Sequence, residues 1–170
     1  MALRPVLIKQ LELNYGALFR NLEGISHEES LVVPPQGGNC LNWVLGHIVS
    51  ARNRMMVQMG IAPVWQADLA FHYSGREEVQ WSLDKAINLK SIETDLARSQ
   101  QDLLNALEQM PDAMLTTPDE KGRTLGDAFA FFVFHEAYHG GQVALLRRLV
   151  GRPGVIRPAP IRPEPDLIGS

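Results

Sequence analysis

The sequence contains only one cysteine, Cys40, in 170 residues. A single cysteine cannot form an internal disulfide, and it excludes the cysteine-rich zinc sites that hold many small domains together. A chain of this length can bury a hydrophobic core large enough to fold without such covalent or metal support. We therefore expect one domain in a reducing compartment, of which the cytoplasm is the simplest.

Basic clusters and long hydrophobic runs are also missing. The formal net charge is −3, and outside the tail the sequence has no basic run, whereas a nucleic-acid surface needs clustered Lys and Arg. Hydrophobic residues make up 45% of the chain, as in ordinary globular proteins, so we predict neither nucleic-acid nor membrane binding. Residues 1–10 carry Arg4 and Lys9 around a short apolar stretch, which does not fit a signal peptide.

Strand patterns are scarce, whereas four segments show helical periodicity. Apolar residues recur at spacings of three and four within residues 5–23, 42–59 and 83–109, and Thr124 with Asp127 offers a cap for a fourth helix over 124–150. We predict a loop over 61–81 and a small hairpin within 116–123. The fold class that follows is all-α, a four-helix bundle over residues 1–151 with an extended proline-rich tail over 152–170.

The predicted fourth helix is apolar on every side. Its large apolar residues point in all directions around the axis: Phe129, Phe131, Phe132, Val133 and Phe134. Such a helix is expected to be buried all round, either at the centre of the bundle or at an interface between subunits. We favour a homodimer to which this helix contributes.

The same helix carries two histidines, His135 and His139, four residues apart. Positions i and i+4 lie on one side of a helix, so both imidazoles can bind one metal ion. His47 borders the apolar stripe of the second helix and is the best candidate for a third ligand, because bundles assemble metal sites from facing helices. The alternative is that these histidines are ordinary core residues without a metal.

The segment from His135 to His139 also matches H-E-x-x-H, the zinc-peptidase pattern in which the glutamate is the general base. No histidine follows His139, and Gln142 stands where the extended peptidase pattern has glycine. Glu164, the only downstream glutamate, lies between two prolines and cannot lie inside a helix. A peptidase is therefore a weaker alternative, and Glu136 is expected in solvent, in a salt bridge or as a partner of a ligand.

Three further polar residues have two interpretations each. Gln142 follows His135 by seven residues on the same stripe and could orient a bound ligand. Asn14 faces inward on the first helix and could do the same, or could make a helix-to-helix hydrogen bond. Cys40 precedes His47 by about two helical turns, too far to share its ion, so a small loop residue is the favoured interpretation.

Two segments together resemble the DinB/YfiT-like superfamily of metal-dependent enzymes. They are residues 42–48, NWVLGHI, and residues 134–148, in which two histidines precede Gly-Gln and an apolar helix end. The resemblance extends over residues 3–151 and implies a four-helix bundle that binds its metal through His47, His135 and His139. It also implies zinc or nickel, a dimer, and in some members a low-molecular-weight thiol that is transferred to electrophiles or used to isomerise maleylpyruvate.

The function expected from these features is a metal-dependent transferase or hydrolase. A divalent ion would activate a thiol or water against a small electrophile, and Gln142 and Asn14 are the candidates for contacts to that thiol or substrate. A non-enzymatic metal-binding stress-response dimer is the main alternative.

Overall fold

The computed structural model describes residues 3–75 and 82–155, and in those ranges it has helices joined by loops and no strand. The long helices are α1 (Leu3–Leu22), α3 (Leu41–Gln58), α5 (Leu89–Gln109) and α7 (Leu125–Leu149). The short helices are α2 (His27–Ser30), α4 (Ala67–His72) and α6 (Asp112–Thr116), and Leu83–Lys85 forms one turn of 3-10 helix. The four-helix bundle predicted from the sequence is confirmed.

The ends of the helices follow from local sequence. Thr124 begins α7 with a capping box: its hydroxyl accepts from the Asp127 N–H, and the Asp127 carboxylate accepts from the Thr124 N–H, both at 3.0 Å. Gly60 follows α3 with a φ of 75°, a left-handed conformation that glycine adopts without steric cost. The cap formed by Thr124 and Asp127 was predicted from the sequence.

Three local predictions differ from the structure. Helix α5 begins at Leu89, because the Asn88 side chain accepts from the Lys90 N–H and caps the helix there. The predicted loop over 61–81 contains the short helix α4, and its residues 76–81 lie outside the described residues. The segment 116–123 forms a turn closed by a hydrogen bond from the Asp119 N–H to the Arg123 carbonyl, without strands.

The core forms where the apolar stripes of the long helices meet. Helix α7 packs against α1 and α3, and α5 packs against α3 and α1. The predicted stripes of α3 and α5 are buried along their length: Val44, Ile48, Ala51, Met55 and Met59, and Leu89, Ile92, Leu96, Leu103 and Leu107. Complete burial of a Val, Leu, Ile or Met side chain stabilises the folded state by about 1.5–3 kcal/mol.

Within one chain, helix α7 is buried on one face, and its opposite face is exposed. Phe129, Phe132 and Val133 face the core, whereas Phe131 and Phe134 are 66% and 64% exposed. A central position in the bundle is therefore excluded for α7.

None of the helices in the described ranges combines the length and apolar character that a membrane span needs. The predicted proline-rich tail lies outside the described residues from residue 156 onward.

Candidate metal centre

The structure brings His47, His135 and His139 together at one point between α3 and α7. The Nε2 atom of His135 lies 3.1 Å from Nε2 of His47 and 3.2 Å from Nε2 of His139. One ring nitrogen from each histidine lies within 4.8 Å of the others, and no other such group of potential ligands occurs in residues 3–75 and 82–155. The structure thus brings together the three residues that were predicted from the sequence as metal ligands.

Neighbouring groups fix the orientation of two of the imidazoles. Nδ1 of His47 lies 2.8 Å from the Tyr73 carbonyl oxygen, and Nδ1 of His139 lies 2.7 Å from Oε1 of Gln142. Because both oxygens are acceptors, each Nδ1 must carry the hydrogen, which leaves a lone pair on each Nε2 in the neutral ring. A stacked ring of Trp43, 4.9 Å away and nearly parallel, also supports His47.

This arrangement fits a metal ion better than it fits three free imidazoles. The Nε2 lone pairs of His47 and His139 are both directed at Nε2 of His135, and a single hydrogen there can satisfy only one of them. Nitrogen ligands about 2.0–2.1 Å from a tetrahedral ion are about 3.3 Å apart, close to the two observed separations. The residues therefore fit a divalent ion bound by three neutral nitrogens, with at least one coordination position open.

Burial favours the neutral form of His47 and His135. Burial, together with the nearby His139 and His47, lowers the pKa of His135 to about 4. Burial also lowers the pKa of His47, against the opposing effect of its hydrogen bond with the Tyr73 carbonyl. Neutral imidazole is the form that binds a metal.

Glu136 points away from the three histidines into the bundle core. Its two carboxylate oxygens accept from Nε and Nη2 of Arg52 at 2.8 and 2.9 Å, and both side chains are fully buried. Of the placements expected from the sequence, the salt bridge is the one observed. A carboxylate held in this way cannot activate a water at the metal, so the zinc-peptidase hypothesis loses its general base.

The remaining candidates are placed differently. Gln142 lies beside the site, since it accepts from His139, whereas Asn14 donates to the Val133 carbonyl at 2.8 Å. Asn14 thus makes the helix-to-helix hydrogen bond that was one of its two interpretations. Cys40 is buried at the start of α3, where burial raises the pKa of its thiol.

A cavity of about 200 Å³ adjoins His135 between α3 and α7. Its wall is mostly apolar, with one cation, and includes Ala51, Arg54, Met55, Gln58, Ala128, Phe131 and Phe132. No carboxylate lines it among the described residues. A small molecule in this cavity would lie next to the imidazole cluster.

Sequence reasoning missed two contributors to this site. The Tyr73 carbonyl orients His47, but a backbone carbonyl has no sequence signature. Arg52 was not singled out, although it follows Ala51 in the apolar stripe of α3, where a charged residue at its edge could have suggested a buried partner.

Comparisons with known proteins agree with this fold. The sequence profile of the DinB superfamily matches residues 10–143. A solved structure described as a conserved protein from Enterococcus faecalis is similar with a TM-score of 0.69 and 16% identity, over 88% of this chain and 98% of that one. At this identity the likeness shows the fold alone. No curated protein sequence matches the chain.

Proposed function

Since the chain belongs to the DinB superfamily, we propose that it is a metal-dependent enzyme whose three-histidine site activates a thiol or water against a small electrophile. The observation that carries the proposal is the convergence of the His47 and His139 lone pairs on His135. Two imidazoles held in that orientation by their own hydrogen bonds are prepared to bind a cation.

The positive charge of the proposed metal ion favours an anion as the ligand at its open coordination position. A divalent ion with three neutral ligands and an open position keeps its full charge, and it lowers the pKa of bound water to about 7 or binds a thiol as thiolate. The chain itself contributes the Nδ1 hydrogen bonds that hold His47 and His139, and a mostly apolar cavity beside His135. The size of that cavity, about 200 Å³, suits a small substrate.

The identity of the ion is proposed as zinc or nickel. All three donors are imidazole nitrogens, which suit zinc, nickel, copper and iron alike, so this choice rests on the family resemblance.

Metal analysis of untagged protein tests the site directly. We expect close to one ion per chain after loading with zinc or nickel, and loss of most of it in His139→Ala. His27→Ala is the matched control, because His27 lies outside the cluster and accepts from the Leu89 N–H. Less than about a tenth of an ion per chain in the loaded wild type would refute the metal site.

A thiol-dependence screen tests the reaction. The metal-loaded protein is assayed for conjugation of generic electrophiles with several cellular thiols, and for their hydrolysis without thiol. Thiol-dependent turnover that His139→Ala abolishes would support a transferase, and turnover with water alone would support a hydrolase. No turnover with any thiol or with water would favour the non-enzymatic metal-binding protein.

We also propose that the protein is a homodimer formed through an outward surface of α7, the α7 face. It consists of Phe131, Phe134, Tyr138, Gly141 and Leu145, spaced by three, four, three and four residues, as in a helix that packs along another helix. Its four large side chains are 59–66% exposed. They would bury roughly 400 Å² per chain, about half of what a stable dimer needs from each partner.

The glycine at position 141 is consistent with a helix of the second subunit packing against the α7 face. A Cβ atom added there would meet nothing within 4 Å, so packing within the chain does not require glycine, which costs about 0.5–1 kcal/mol inside a helix. A second α7 that crosses closely at Gly141 would require it.

Sedimentation equilibrium tests the dimer. We expect a dimer for the wild type, a monomer for Phe134→Glu, and a dimer for the control Val57→Glu, whose residue is equally exposed on α3. A monomeric wild type, or an intact Phe134→Glu dimer, would refute this interface.

A further inference from the structure

In the part of the chain that the structure describes, His135 differs from the other two histidines because no oxygen accepts a hydrogen bond from its ring. His47 and His139 each donate from Nδ1 to an oxygen, whereas the hydrogen-bond partners of His135 within residues 3–75 and 82–155 are the other two imidazoles. Metal-binding histidines almost always have such an outer partner. Something other than a ring hydrogen bond must therefore position His135.

The residue next to His135 is anchored to α3 by a buried ion pair. Glu136 and Arg52 form a bidentate, fully buried ion pair between α7 and α3. A pair of this geometry fixes direction as well as distance, because both nitrogens and both oxygens must stay in register. Arg52 also lies on the helix that supplies His47.

Arg52 is itself held by the other two long helices. Its Nη1 atom donates to the Leu96 carbonyl and to the Ser99 hydroxyl of α5, both at 3.3 Å. Its guanidinium lies 5.9 Å from the ring centre of Tyr15 on α1. The Glu136 carboxylate on α7 is thus bound to an arginine of α3 that also contacts α5 and α1.

A second interaction holds the α7 backbone on the N-terminal side of His135. Asn14 of α1 donates to the Val133 carbonyl, two residues before His135. The backbone that carries His135 is consequently held on both sides, by α1 before it and by α3 after it.

We infer that Glu136 and Arg52 are positioning residues for the metal site, which hold the backbone of His135 so that its ring meets His47 without an orienting hydrogen bond. This inference rests on the proposed metal site. An imidazole nitrogen about 6 Å from a helix axis moves by about 1 Å when the helix rotates by 10°. Metal–ligand distances are kept within about 0.2 Å, so even a small rotation of α7 would disturb the site.

The test separates positioning from stability. Replacing a buried ion pair by apolar residues of similar volume is often neutral or stabilising, so Arg52→Met/Glu136→Leu should unfold in urea much as the wild type does. Its metal affinity should nevertheless fall 10- to 100-fold in competition with a chromophoric chelator. The visible spectrum of the cobalt-loaded variant should change as well.

The matched control is Arg98→Met/Asp102→Leu, which removes an exposed ion pair within α5 and should keep wild-type affinity. If the apolar variant of the buried pair does not fold cooperatively, Arg52→Gln/Glu136→Gln, which can retain an amide hydrogen bond, is measured in its place. A folded variant with wild-type affinity and cobalt spectrum would overturn the inference. Failure of the wild type to bind metal would instead refute the proposed function.

Discussion

Replacing Gly46 by alanine should damage both the fold and the metal site, although alanine is the better helix former. Gly46 precedes His47 in α3, and a Cβ atom there would lie 2.2 Å from Cδ1 and 2.4 Å from Cε1 of the Tyr73 ring. Carbon atoms in contact are about 3.5–4.0 Å apart. The ring would therefore have to move by more than about 1 Å.

Tyr73 has little freedom to move. It is completely buried, its hydroxyl donates to Oδ1 of Asn42 at 3.1 Å, and it accepts from the Ile87 N–H at 2.9 Å. Overpacking of this kind costs about 1–3 kcal/mol, which exceeds the gain of about 0.5–1 kcal/mol that alanine brings to a helix. Since the Tyr73 carbonyl orients His47, a shift of Tyr73 should also weaken metal binding by about 10- to 100-fold.

Urea unfolding of the metal-free protein and competitive metal titration measure the two effects. Gly16→Ala is the control, because it lies inside α1 and an added Cβ would meet nothing within 4 Å. We expect the control to gain about 0.5–1 kcal/mol and to keep its metal affinity. A Gly46→Ala protein as stable as Gly16→Ala, with unchanged affinity, would refute the reasoning.

Two further predictions concern pH and a buried arginine. The pKa of His135 is about 4 in the fold and about 6.5 when unfolded, so the unfolded chain binds more protons between these values. The metal-free protein should therefore lose stability as the pH falls from about 6.5 to 4, and the loss should be smaller in His135→Ala. Equal urea midpoints for the wild type at pH 7.5 and pH 5 would contradict this prediction. Arg147 is buried and donates to two carbonyls at the C-terminal end of α1. Arg147→Ala should lower the free energy of unfolding by about 2–4 kcal/mol. In the control Arg148→Ala, which replaces the exposed neighbouring residue, it should change by less than about 0.5 kcal/mol. Equal losses in the two variants would show that the hydrogen bonds of Arg147 do not stabilise the fold.

Much of the candidate site could be predicted because it depends on local helix geometry. The i and i+4 spacing of His135 and His139 places them on one side of a helix, and Gln142 follows on the same stripe. His47 could be proposed because it borders the apolar stripe of a second helix. The function of Glu136 could not be chosen among its alternatives, because its partner Arg52 lies on a different helix.

The sequence alone determined the four long helices, through apolar residues that recur with the period of a helix, and the pair of histidines on the last one. Only the tertiary structure decided that the His47 ring meets that pair, that the Tyr73 carbonyl orients it, and that Glu136 is buried against Arg52. It also decided which side of α7 remains exposed. The physical reason is that periodicity reports which face of a helix is buried, whereas the contacts made by that face depend on how the helices pack.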